Sequence, residues 1–91
     1  MVGDYPKRRS DLSLRDIEGD TVVLDRVAKQ VHRLNPTASF IWHRCDGHRT
    51  VGAIADELVG SFDVDPVTAK EAVIAALHQF DGLGLLDHAR D

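Results

Sequence analysis

The sequence is poor in the residues that most often carry chemistry. Cys45 is its only cysteine, so no disulfide can close within the chain, a usage that fits a reducing compartment. No apolar run approaches the ~20 residues that a membrane-spanning helix needs. The opening stretch from Met1 to Pro6 lacks the apolar segment of a secretory signal. Positive charge is also scarce, with 11 Lys and Arg against 15 Asp and Glu and a net charge of -4. Nucleic-acid binding rests on cations that neutralise phosphates, so this balance argues against such a partner. The one basic cluster, Lys7-Arg8-Arg9, lies near the terminus and reads as a solvated tail. The expectation is a soluble, cytoplasmic protein with no membrane and no nucleic-acid partner.

Constellations for catalysis or metal binding are missing too. The five histidines are His32, His43, His48, His78 and His88. None pairs with another on one helical face, and Cys45 has no second cysteine beside it, so no metal site is expected. His43 and Cys45 stand two apart on a predicted helix and do not face each other, which removes a thiol–imidazole pair. Gly82-Leu83-Gly84 lacks the lysine and the strand-to-helix setting of a phosphate loop. The acids are dispersed through turns and caps. The chain therefore reads as a non-enzyme without a cofactor.

What is present is the pattern of one small domain. The 91 residues suffice for a single compact unit with a modest core. Residues 1–10 are polar, contain Pro6 and show no period, so they read as a flexible lead-in to a domain over 11–91. Leu12 and Leu14 alternate with polar residues, Glu18-Gly19-Asp20 supplies a turn, and Thr21-Val22-Val23-Leu24 is β-branched. After a connection from Asp25 to Gln30, Val31-His32-Arg33-Leu34 completes a three-stranded antiparallel meander.

Asn35-Pro36 then marks a helix start, because Asn accepts an orphan backbone N–H and Pro suits the first helical position. That helix carries the apolar stripe Ala38, Ile41, Trp42 and Cys45, and Asp46-Gly47 is expected to end it. Thr50 caps a second helix closing near Gly60. Asp65-Pro66 opens a third that runs to about Asp81, with Gly82 ending it. Three strands followed by three helices predict an α+β domain of winged-helix type.

On the third helix, Ala69, Val73, Ala76, Leu77 and Phe80 share one face, which must meet the core. Val67, Lys70, Ile74, His78 and Asp81 fall on a flank about 100° away. Ile74 on that flank reads either as the edge of the core or as part of an apolar notch for a bound side chain.

The segment from Val31 to Trp42, with its Leu34-Asn35-Pro36-Thr37-Ala38 junction and Ile41-Trp42, then Cys45-Asp46-Gly47 and Thr50-Val51, resembles the PqqD-like family. The ending Val73, Leu77, Phe80 and Gly84-Leu85-Leu86 resembles it as well, so the likeness runs from about Leu12 to Leu86. The resemblance implies a non-catalytic peptide chaperone for ribosomally made, post-translationally modified peptides. Such a protein holds the leader of a precursor peptide and presents it to a radical SAM enzyme, another peptide-modifying enzyme or a leader protease. It further implies that the leader adds as a strand to the edge Val31, His32, Arg33 and Leu34, beside the helix flank Val67, Lys70, Ile74 and His78.

Departures from the family pattern are also visible. Relatives often have Gly in the turn before the third strand, where this chain reads Arg26-Val27-Ala28-Lys29-Gln30. Arg33-Leu34-Asn35 and Trp42 differ from members dedicated to pyrroloquinoline quinone, which points to another peptide pathway. Two alternatives remain at this stage. One is a winged-helix DNA binder, disfavoured by Asp65, Glu71 and Asp81 on the third helix. The other is an adaptor that forms a symmetric homodimer through the same sheet edge.

Overall fold

The structure is a computed structural model that describes residues 4–87. Strands β1 (Ser13–Ile17), β2 (Asp20–Asp25) and β3 (Gln30–Leu34) form an antiparallel sheet in the order β1-β2-β3. Helices α1 (Pro36–His43), α2 (Val51–Ser61) and α3 (Pro66–Gly82) follow, giving the α+β architecture expected. Both turns of the meander use left-handed backbone. Glu18 (φ 51) and Gly19 (φ 89) form the first, and Lys29 (φ 58) closes the second. Such a two-residue turn matches the twist of a hairpin. Lys29 takes, at steric cost, the conformation that a glycine adopts freely.

Strand register separates the two faces of the sheet. Leu14, Val23 and His32 form one row, and Asp16, Thr21 and Leu34 the next. Thr21, Val23 and Leu34 are buried here, beneath α1, which contacts β2 and β3. The outer face carries the rows Ser13–Leu24–Val31 and Arg15–Val22–Arg33. Helices α2 and α3 pack against each other and α1 bridges them to the sheet. In the core the Trp42 and Phe80 rings meet edge to face, with centroids 5.2 Å apart.

Each helix start follows the sequence reading. Asn35, Thr50 and Asp65 accept the backbone N–H of Ala38, Ala53 and Thr68, and Pro36 and Pro66 sit in the first turn. Helices α2 and α3 end within a residue of expectation, whereas α1 does not. Helix α1 stops at His43 rather than at Asp46-Gly47. Its last carbonyls are met by the Arg8 guanidinium, which donates to Trp42 O and His43 O. Gly47 is nevertheless left-handed (φ 84) and donates its N–H to Pro6 O. Past α3 it is Gly84 (φ 73), not Gly82, that takes the left-handed conformation.

The lead-in also departs from expectation. Pro6 is buried, Arg8 N donates to Cys45 O at 2.8 Å, and Arg9 N donates to Leu85 O at 3.0 Å. Asp87 N returns a bond to Lys7 O at 2.7 Å. Residues 6–9 are thus stitched between the end of α1 and the segment after α3, and the basic cluster is no free tail. Residues 1–3 of the expected lead-in, and His88, lie outside the described residues.

Candidate functional site

Among the described residues strand β3 has β2 on one side and no strand on the other, so alternate backbone N–H and C=O groups along it point away from the sheet. Its burial runs from an exposed Val31 to a buried Leu34. No Cα of β3 comes within 8 Å of a Cα of α3. The backbone of α3 thus stands clear of this edge. Arg33 on this strand holds Asp20 through a 2.8 Å ion pair. His32 sits on the inner face opposite Val23, and its Nε2 is buried without a hydrogen-bond partner.

The wheel reading of α3 holds for its core face, since Ala69, Val73, Ala76, Leu77 and Phe80 are all buried. The flank beside it is open, with Val67, Lys70, Ile74 and His78 exposed. Lys70, Ile74 and His78 line a groove of about 510 Å³ together with Leu77. Its other walls come from Thr50, Val51 and Gly52 at the start of α2 and from Asp4 and Tyr5. Val67 is not part of this lining, and neither is any residue of β3. The structure thus separates what the sequence reading joined into one notch. Val31 to Leu34 form a free edge, while Lys70, Ile74 and His78 form one wall of a groove whose opposite wall is α2. A helical wheel identifies a face but not its neighbour, and nothing in the sequence marked Tyr5 as part of a wall.

The groove is mixed in character. Val51, Ile74, Leu77 and the Tyr5 ring supply apolar surface, while Lys70, His78 and Asp4 put charge or polarity at its rim. The thiol of Cys45 belongs to neither patch. It is buried and donates to Ile41 O at 3.3 Å, and burial pushes its pKa up to about 12. A thiol held protonated in this way is a packing group and not a nucleophile. Among the described residues no three His, Cys, Asp or Glu side chains gather as a metal site requires, and no helix is long and apolar enough to cross a membrane.

Two solved structures share this architecture. One is TbiB1 in complex with the TbiA(beta) leader peptide, at TM-score 0.80 and 20% identity, covering 93% of this chain and 99% of that one. The other is lasso peptide synthetase B1 complexed with the leader peptide, at TM-score 0.80 and 20% identity, covering 91% and 98% respectively. At this identity the likeness is one of fold. A comparison with curated proteins gives no match. The sequence pattern of the family described as Coenzyme PQQ synthesis protein D (PqqD) matches residues 20–86, from β2 through the closing Leu85-Leu86. With the meander, the capped helices and the Leu34-Asn35 junction inside that span, the chain belongs to the PqqD family.

Proposed function

We propose that this chain is a non-catalytic carrier that binds the leader of a ribosomally made precursor peptide and presents it to a processing enzyme. The single observation that carries the reading is the free edge of β3 in a PqqD-family fold. An extended peptide laid along that edge gains main-chain hydrogen bonds, each worth about 0.5–1.5 kcal/mol net. Family membership and two structural neighbours that hold leader peptides support the same reading. The second neighbour is described as a lasso peptide synthetase, so a leader-binding member of this fold serves a peptide pathway other than that of the quinone.

Ile74 extends the site. An extended chain advances ~3.3 Å per residue, so a leader of about ten residues can pair with β3 and still reach another patch of the domain. The groove beside Ile74 offers apolar surface for one of its side chains, with Lys70 and His78 at the rim for acidic or polar neighbours.

The test is calorimetric titration with the leader of the precursor encoded beside this chain. Binding between nM and μM is expected, as is usual for a specific complex. Leaders N-methylated at single backbone positions should lose affinity at alternate residues only, because only every second N–H pairs with β3. Uniform tolerance of N-methylation would rule out strand addition. Sedimentation across concentrations reads the competing use of the edge, pairing with a second copy, which leader should dissolve.

A further inference from the structure

Among the described residues none of the helices covers the outer face of the sheet. All helix contacts fall on β2 and β3 through α1, which lies against the inner face. Outward, Val22 and Leu24 are half-buried and Val31 is 65% exposed, and Val27 in the turn between β2 and β3 is 79% exposed. A shallow concavity of about 310 Å³ lies at the tip, lined by Leu24, Arg26, Lys29 and Val31 among others. Exposed apolar surface of this kind, rimmed by charge, marks a contact site.

Charge on this face runs against the rest of the molecule. Arg15 and Arg33 flank Val22 across the strands, and Arg26 and Lys29 stand at the tip beside Leu24. Arg15, Arg26 and Lys29 make no ion pair among the described residues, in a chain whose net charge is -4. Elsewhere Arg9, Arg44 and Arg49 are all engaged with carboxylates. At the other end of the sheet Glu18 supplies negative charge, while Asp20 is neutralised by its ion pair with Arg33. A uniformly anionic surface, whether membrane or duplex, matches the tip and is repelled at that end. A protein surface with a local group of carboxylates matches the tip alone.

We infer that the outer sheet face is a docking surface for a folded protein presenting an apolar side chain ringed by carboxylates, and that this protein is the enzyme receiving the leader. The second half of the inference rests on the carrier function proposed above. Strand addition explains why this face suits the role. A leader strand beside β3 extends the same sheet, so every second leader side chain lies flush with Val31 and Arg33 on the outer face. An enzyme docked there touches carrier and leader at once, and complementary charge steers and orients the encounter.

Two variants test the surface without touching the β3 edge. The first combines Arg26→Glu, Val27→Asp and Lys29→Glu at the tip, and the second is Arg15→Glu on β1. Association with the purified leader-processing enzyme encoded beside this chain is measured with and without leader, and leader titration is run on the same variants. Leader affinity should hold within about twofold, since none of the substituted residues lies on β3. Enzyme association should weaken roughly tenfold or more for the tip variant and less for Arg15→Glu. Unchanged enzyme association would overturn the inference. So would wild-type binding to phosphatidylglycerol vesicles that the tip variant loses while its enzyme association is kept. If leader fails to bind the wild type, the carrier reading falls, whereas the leader-free enzyme measurement still decides this surface.

Discussion

The Arg9 guanidinium donates to the Asp25 carboxylate at 2.9 Å, although Asp25 is 2% exposed and lies at the far end of β2. The same Nη1 donates to Gly84 O at 2.9 Å, and Nη2 reaches Asp11 at 2.8 Å. One side chain thus ties the lead-in to the sheet and to the turn after α3. Removing it with Arg9→Ala leaves a buried carboxylate to the backbone N–H groups of Ala28, at 3.1 Å, and Val27. Thermal melts at neutral pH should show a loss on the order of 5 °C. Arg9→Lys should recover little of it, because an ammonium cannot reproduce the fork.

The same cluster contributes to the acid limit of the fold, together with Asp46, Glu57 and Asp65, whose carboxyl groups are also held low. The Ala28 N–H and then Arg9 hold the Asp25 carboxyl below its ordinary 3.8, and Arg9 holds Asp11 below the same value. A depressed folded-state pKa means stability that is complete above the unfolded value and is lost as pH falls through the folded one. Chemical denaturation should therefore give flat stability from neutrality to about pH 5, then a decline below about pH 4. In Arg9→Ala the decline should be shallower, since less of the carboxylate preference remains to be lost.

Trp42 and Phe80 test how far the core rests on one contact. Both are fully buried and meet at 83° between ring planes. Trp42→Ala should cost about 3–5 kcal/mol, enough to unfold a marginal domain of this size. Trp42→Leu and Phe80→Leu are milder, and a double-mutant cycle in urea should return a coupling of about 0.5–1.5 kcal/mol.

Local chemistry made most of this fold legible and left its long-range ties hidden. Asn35-Pro36, Thr50 and Asp65-Pro66 announce helix starts because a cap is satisfied within three residues of itself. The α3 core face is legible because it repeats within one helix. The docking of residues 6–9 has no such signature, since its bonds join backbone groups to Cys45 and Leu85 far along the chain. The end of α1 is similarly hidden, being capped by the distant Arg8. The site divides in the same way. The β3 edge follows from strand order, but the neighbour of the Ile74 flank is set by how α2 packs on α3.

Cys45 should behave as an inert thiol. Its pKa, pushed up to about 12 by burial, leaves almost no thiolate at neutral pH. Iodoacetamide should label the native protein at the rate of global opening and label it promptly in denaturant. Rapid native labelling at pH 7 would show that the α1 C-terminus opens independently of the rest.

Ile74→Glu separates the two halves of the binding site. Ile74 is 39% exposed at the groove mouth, so the substitution should change stability by no more than about 0.5 kcal/mol. A leader that seats an apolar side chain against Ile74 would instead meet a carboxylate that must be desolvated, weakening binding about tenfold. The alternate-residue pattern of N-methyl sensitivity should persist in this variant, because β3 and the groove share no lining residues. Calorimetry on Ile74→Glu with the N-methylated leaders reads both effects together. Full affinity in Ile74→Glu with the N-methyl pattern intact would confine the leader to β3.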